Sequence, residues 1–472
     1  MGLGRKIGDT ARVPGRGLRR LAIVLVVLVA AGAIGGTIAL AAPAVLAKLN
    51  GSADKPLPPV PQLALAPLAA TAPVPTAAAL ASALEKPLDA IPGKVTGVVR
   101  DANTGEVLWD HSSERSLVPG STGKLITAAA ALLSLDTTSG LITKVVAGPD
   151  AGTVVLVGGG DPTLTALPEG KEGVYPEPAR LVDLARKVKA AVKTPITRVL
   201  IDTSRYSGDR VAPGWDPADI KGGYITPIEP LMLDGGRVDP TAQDGERVAE
   251  PAKAAGQAFA ELLGVDAKQV AETTANPNAK VLGAVTSAPV SELVENALRA
   301  SDNVLAEVLA HEVAKARGGT ADFAGAAKES LAALAQAGID TTGTEMFDGS
   351  GLSTKDRVSS RVLGAVLTAA ATPAKGPQDV QFLRPILSGL PVAGGDGTLA
   401  TRFGDDAASA DGRGVVRAKT GTLTDVSSLA GVVTDKDGRL LVFALMSNGG
   451  SPAAVRPRLD DLAAALSACG CR

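Results

Sequence analysis

The chain has 472 residues, 47 Lys plus Arg against 49 Asp plus Glu, and 45% hydrophobic residues, so it is neither globally disordered nor too short for two or three folded units. The first 47 residues carry a net charge of +5, which leaves the other 425 at −7, and an acidic body lacks the basic face that nucleic-acid binding requires. His111 and His311 are the only imidazoles and Cys469 and Cys471 the only thiols, which excludes a His-rich or Cys-rich metal site but leaves carboxylate sites open.

Residues 21–47 form an uncharged run of 27, long enough as a helix for a hydrocarbon core of roughly 30 Å. Six basic residues from Arg5 to Arg20 precede it, so the positive-inside rule keeps residues 1–20 in the cytoplasm and exports the remainder. The run reads as a signal anchor or, with Ala39-Leu40-Ala41 as the cleavage site, as a signal peptide. Residues 48–84 read as a Pro- and Ala-rich linker.

From Lys94 the pattern becomes that of a folded domain. Residues 95–100 and 106–109 are strand-like runs on either side of the turn Asp101-Ala-Asn-Thr-Gly105. Pro119-Gly-Ser-Thr-Gly-Lys124 then enters an Ala- and Leu-rich helical stretch, 125–135, which sets Ser121 and Lys124 three residues apart on one face. Taken alone, that pair reads as an N-cap serine followed by a solvated first-turn lysine. Residues 298–316 read as a helix with Ser301-Asp302-Asn303 near its start, and Arg417-Ala-Lys-Thr-Gly-Thr-Leu423 as an edge strand. At the end, 428–434 and 439–447 flank Asp435-Lys-Asp-Gly438, and Leu459, Leu462 and Leu466 give 453–468 a helical spacing. Two hairpins from opposite ends of the chain predict one antiparallel sheet, with helices and an insertion between them.

SxxK, SDN and KTG in this order are the motif set of penicillin-binding proteins and serine β-lactamases. The sequence resembles the penicillin-interacting DD-peptidase superfamily. No Glu-x-x-x-Asn pattern follows Glu307, Glu312, Glu329 or Glu345, so the class A lactamase deacylation signature is missing, and 180 residues between Ser121 and Ser301 leave room for an inserted domain. The runs 156–164, 201–206, 212–215, 347–353 and 390–399 resemble the class C low-molecular-mass penicillin-binding proteins, the DacB-type D-alanyl-D-alanine carboxypeptidases and endopeptidases of peptidase family S13.

The resemblance implies an α+β fold of the serine β-lactamase/DD-peptidase type, an antiparallel sheet flanked by helices, from residues 85–140 and 289–468. It further implies an insertion domain at 141–288, and a tail at 469–472. Ser121 would be the acylated nucleophile and Lys124 its base. Ser301 would pass a proton to the departing amine, and Asn303 would hold both the substrate amide and Lys124. Lys419 would bind the substrate carboxylate, with Thr420, Gly421 and Thr422 along the same strand, and the N–H groups of Ser121 and Thr422 would form the oxyanion hole. Asp202 would meet the diamino acid of a peptidoglycan stem peptide. β-Lactams would be covalent inhibitors, and no cofactor is implied. Gly158-Gly-Gly-Asp161 reads as a turn, Asp348 as a residue that fixes a loop, and His311 as structural. The alternatives are a serine β-lactamase or esterase of the same superfamily, and a catalytically silent wall-binding module.

Overall fold

The computed structural model describes residues 71–372 and 381–470. The uncharged run at 21–47, most of the expected linker and the last two tail residues lie outside them. Among the described residues no helix is long and apolar enough to cross a membrane.

The first helix, α1 (Ala77–Asp89), starts inside the stretch expected to be linker. Thr76 caps it, and Leu80 and Leu84, one turn apart, are buried at 0% and 1% exposure. The linker boundary at 84 is therefore corrected to about 76, because an i, i+4 apolar pair seeks a partner surface whatever prolines precede it. The chain continues through β1 (Lys94–Asp101), β2 (Val107–His111), the two-residue β3 (Ser116–Leu117), a 3₁₀ turn at Gly120–Gly123 and α2 (Lys124–Ser134). The insertion follows as β4 (Gly140–Ala147), β5 (Thr153–Val157), α3 (Leu181–Ala191), β6 (Arg198–Asp202), α4 (Pro217–Lys221), α5 (Pro251–Leu263), β7 (Ala271–Glu272) and β8 (Val281–Pro289). Then come α6 (Val290–Arg299), α7 (Asn303–Ala316), α8 (Phe323–Gln336), β9 (Val358–Ser359), α9 (Ser360–Ala371) and α10 (Arg384–Gly389). The last elements are β10 (Arg417–Leu423), β11 (Val426–Thr434), β12 (Leu440–Asn448) and α11 (Pro452–Ala468).

Five strands from the two ends of the sequence make one antiparallel sheet, in the order β10-β11-β12-β1-β2. β1 pairs with β12 from Lys94 opposite Asn448 to Asp101 opposite Leu441, and a buried Arg439–Asp101 ion pair, with Nε at 2.8 Å, ties the two hairpin turns. The central strands are apolar on both faces because both faces are covered. Val98, Val432 and Val442 pack with α2, α7 and α9, while their neighbours Val99, Val433 and Phe443 pack with α1 and α11. α2 is buried on every side, Lys124 included, which is the mark of a helix at the centre of a core.

The insertion holds a second five-stranded sheet in the order β7-β6-β5-β4-β8, with β5, β6 and β7 parallel and the rest antiparallel. Parallel neighbours need crossovers, here α3 and α5, which cover one face of the sheet. Leu181, Leu184, Ala185 and Val188 form the inward stripe of α3.

The helix expected at 298–316 is two helices. α6 ends at Arg299 and α7 begins at Asn303, with Ser301 between them at φ +56°. Asp302 accepts from the Leu305 N–H at 2.9 Å and so caps α7, which is why the chain turns where apolar periodicity alone runs on.

Candidate active site

The nucleophile turn is held against the edge strand from below. Thr122 Oγ1 and Ser428 Oγ both donate to the Pro119 carbonyl, at 2.8 and 2.6 Å. A Cβ at Gly421 would collide with Ser428 Oγ and the Pro119 carbonyl, so only glycine lets β10 come this close. The Ser121 and Thr422 backbone nitrogens lie across that junction.

Lys124 extends from the first turn of α2 into the interior, 1% exposed. Its Nζ donates to Ser121 Oγ at 2.9 Å, Asn303 Oδ1 at 2.5 Å and the Ser350 carbonyl at 2.8 Å. Three acceptors match the three hydrogens of an ammonium. When the amine is neutral, its lone pair must face a donor, and of the three partners only Ser121 has a proton to give. Burial pulls the Lys124 pKa down to about 8, against the opposing pull of Asp348, Glu307 and Asp302. Asn303 is oriented for this role by its Nδ2, which donates to the Tyr224 carbonyl at 3.0 Å.

A second buried lysine lies beside the first. Lys419 Nζ donates to Ser301 Oγ at 2.8 Å and to the Thr420 carbonyl at 2.9 Å. Burial, and then the Lys124 charge, hold its pKa well below that of a free lysine. An arriving carboxylate would reverse the second effect and favour the ammonium form.

These groups open into a cleft of about 1190 Å³ lined by Ser121, Ser301, Asn303, Thr398, Thr420 and Thr422, with the Thr398 and Thr420 hydroxyls 2.8 Å apart. Its insertion wall carries Asp216, Asp219 and Asp244, while Arg299, Arg402 and Arg456 line it as well. Among the described residues no cluster of His, Cys, Asp and Glu is placed to hold a metal ion.

Eight of the nine expected site residues meet around this cleft. Asp202 does not. It ends β6, 5% exposed, and its two carboxylate oxygens accept from the Ser204 and Ala275 N–H groups at 2.8 Å each. The expectation that Asp202 meets a substrate amine is therefore corrected: its carboxylate fastens the end of a strand.

Sequence reasoning missed the floor under Lys124. Glu307 accepts from the Gly349 and Ser350 N–H groups at 2.8 Å each and thereby aims the Ser350 carbonyl at the lysine. Asp348 holds the rest of that loop, accepting from Gly351 N–H, Ser353 N–H and Trp215 Nε1 at 2.7 Å each, in line with the loop-fixing role expected of it. The signal lay in the Phe347–Ser353 run, where one acid is followed by glycines and serines. His311 is 2% exposed between the Tyr206 and Phe323 rings, with Nδ1 2.8 Å from the Glu307 carbonyl. Asp161 folds the turn after β5 by accepting from the Thr163 N–H at 2.8 Å.

Activation of a serine by a buried lysine, on a helix beneath a five-stranded antiparallel sheet with KTG on its edge, sets the molecule among the active-site-serine, penicillin-interacting enzymes. More narrowly, the family model described as D-Ala-D-Ala carboxypeptidase 3 (S13) matches residues 76–248 and 241–468, and the chain belongs to that family. A carboxypeptidase of Mycobacterium tuberculosis is 44% identical over 90% of this chain and 91% of its own length. Carboxypeptidase DacB of Mycolicibacterium smegmatis is also 44% identical, over 91% and 94%. Among solved structures, penicillin binding protein 4 of Haemophilus influenzae has a TM-score of 0.66 over 80% of this chain and 97% of that one, a likeness of fold at 20% identity.

Proposed function

We propose that the protein is an exported serine D-Ala-D-Ala carboxypeptidase acting on peptidoglycan stem peptides through an acyl-enzyme on Ser121. The observation that carries this reading is the set of partners around Lys124, of which only the Ser121 hydroxyl can donate to the neutral amine. Ser121 Oγ attacks the carbonyl of the penultimate D-Ala while its proton passes to Lys124. The oxyanion is met by the Ser121 and Thr422 N–H groups, and the terminal carboxylate by Lys419, Thr420 and Thr422. Collapse expels D-Ala, whose amine takes a proton through Ser301, and water then releases the shortened peptide from the ester. A β-lactam enters the same sequence, but its leaving group stays tethered to the acyl carbon and the adduct persists.

A cross-linked peptide presents the same bond with a larger leaving group, so DD-endopeptidase action belongs to the same proposal. Asp219 takes the place first given to Asp202. It lines the cleft beside the Tyr224 and Asn303 contact, and burial, partly offset by the Asp216 backbone, raises its carboxyl pKa. An amine on the third residue of the stem peptide would restore the carboxylate. The substrate lies outside the cytoplasm, which agrees with the basic segment and uncharged run at the N-terminus.

Intact-protein mass spectrometry of the full chain and Ser121→Ala, followed over time with benzylpenicillin, tests the reading. A lasting adduct on the wild type alone is expected. Penicillin destroyed without an adduct would mean a lactamase, and intact penicillin without an adduct a silent binding module.

A further inference from the structure

Within Ser301-Asp302-Asn303 the outer two residues reach the two active-site lysines, and the middle one is gripped from the insertion. Asp302 Oδ1 caps α7 through the Leu305 N–H. Its Oδ2 accepts from Arg237 Nη2 at 2.8 Å and from the Tyr175 hydroxyl at 2.9 Å. Arg237 is itself fixed on every side. Nη1 reaches the Tyr175 oxygen at 2.9 Å and the Asp234 carbonyl at 3.0 Å, and Nε faces the Ala242 and Gln243 carbonyls at 3.1 and 3.2 Å. The guanidinium and the carboxylate are each 1% exposed.

We propose that the Arg237–Asp302 pair, seated on Tyr175, is the device by which the insertion sets the catalytic corner, and that Arg237 is a positioning residue for the acylation of Ser121. The inference rests on the acyl-enzyme reading above. Ser301 holds a left-handed backbone that a non-glycine residue keeps only where its surroundings impose it. Two anchors impose it here, the Asp302 N–H on the Ala297 carbonyl at 3.1 Å and the Asp302 carboxylate on Arg237. Without its contacting partner the buried carboxylate keeps only the weaker pull of Arg247, and would turn toward water and carry the Ser301 and Asn303 side chains with it. Arginine suits the task because separate nitrogens of its planar fork meet Asp302, Tyr175 and the flanking carbonyls at once, which an ammonium cannot do from a single atom. The Tyr224 carbonyl under Asn303 is a second tie from the same domain to the same corner.

The test uses the full chain as wild type, Arg237→Met, Arg237→Lys and the double variant Arg237→Met/Asp302→Asn. Single-turnover reaction with benzylpenicillin over a range of concentrations separates the limiting rate constant of Ser121 acylation from the dissociation constant of the complex that precedes it, and melting temperature is read in parallel. Arg237→Met is expected to lower the limiting rate constant about 50-fold while the dissociation constant moves less than about 3-fold, the pattern of misplaced catalytic groups in an intact cleft. The double variant removes the paired charges together, Arg247 keeps the Gly223 and Gly235 carbonyls at 2.8 and 2.7 Å, and the asparagine oxygen can still cap α7, so the rate constant returns to within about 5-fold of wild type. Arg237→Lys keeps the charge without the fork and falls between. An Arg237→Met protein that acylates at the wild-type limiting rate overturns the proposal, as does a double variant with no recovery. Should Arg237→Met not fold, Arg237→Lys and the double variant decide by the same two constants. A wild type that forms no adduct would instead sink the acyl-enzyme reading, and is recognised before any variant is compared.

Discussion

The peptidase body and the insertion build one cleft by different means. Among the described residues, Ser121, Lys124, Lys419 and the side chains that hydrogen-bond them come from the body, on the turn before α2, α2 itself, the α6–α7 corner and β10. The insertion adds a carbonyl under Asn303, a guanidinium under Asp302 and an acidic wall. The difference separates chemistry from geometry and selectivity. A change among the body's reacting groups should slow every acylating substrate alike, whereas a change on the insertion wall should discriminate between peptides and leave penicillin unaffected.

The largest expected effect lies in the body. Lys124→Ala should lower acylation by both penicillin and D-Ala-D-Ala peptides on the order of 10³-fold, within the usual span for loss of a general base. With Lys124 as the base the reactive form would be the neutral amine, and burial pulls its pKa down to about 8. The rate should therefore rise about tenfold per pH unit below that value and level off above it. Stopped-flow acylation between pH 6 and 9.5 reads this limb directly. A flat profile in the wild type would remove Lys124 from the role of base and break the assignment of chemistry to the body.

On the insertion wall the effect should be smaller and selective. Asp219→Asn removes a charge from the cleft without touching the serine or either lysine. Its kcat/KM should fall about 10-fold for stem peptides with a free amine on the third residue, the loss of a charge-assisted contact, while penicillin acylation stays within about 2-fold. Equal losses on both substrates would show that the wall acts on the chemistry after all.

How far the sequence discloses each half follows the same division. The body's chemistry is encoded locally: three residues of separation put Ser121 and Lys124 on one helical face, and Lys419 lies in a run that reads as an edge strand before the terminal hairpin. The break at Ser301 was not legible, because the residues on both sides continue a helical pattern and the turn is set by Asp302, whose second oxygen is satisfied from 65 residues away. The contacts of Tyr175, Arg237 and the Tyr224 carbonyl have no motif, since a backbone carbonyl leaves no mark on residue type and a buried arginine reads like any other. In the sequence Glu307 stands out only as a glutamate without the lactamase Glu-x-x-x-Asn spacing, and its work of holding two amides beneath Lys124 depends on a loop 42 residues on. α1 was hidden by the prolines before it, although Leu80 and Leu84 carried its apolar stripe.

Asp202 sharpens the comparison at its weakest point, because it lies in the insertion, is acidic and yet lines no part of the cleft. Its two oxygens each accept a backbone N–H, from Ser204 and from Ala275, and so tie the end of β6 to the segment after β7. An asparagine there has one acceptor oxygen and a donating NH₂ in place of the other, so one of the two N–H groups would face a donor. Asp202→Asn should accordingly lower stability by about 1–3 kcal/mol, the cost of a buried polar group left without its partner. Thermal or urea unfolding measures that loss. The same protein should keep kcat/KM within about 2-fold of wild type on amine-bearing peptides, since the carboxylate is engaged by the backbone it fastens and lines no part of the cleft. A selective loss on those peptides at unchanged stability would return Asp202 to the substrate and take the role from Asp219. Two acids in one domain can thus be told apart by what each already holds: each Asp202 oxygen accepts a backbone N–H away from the cleft, whereas Asp219 stands on the cleft wall where an incoming amine would be its counter-charge.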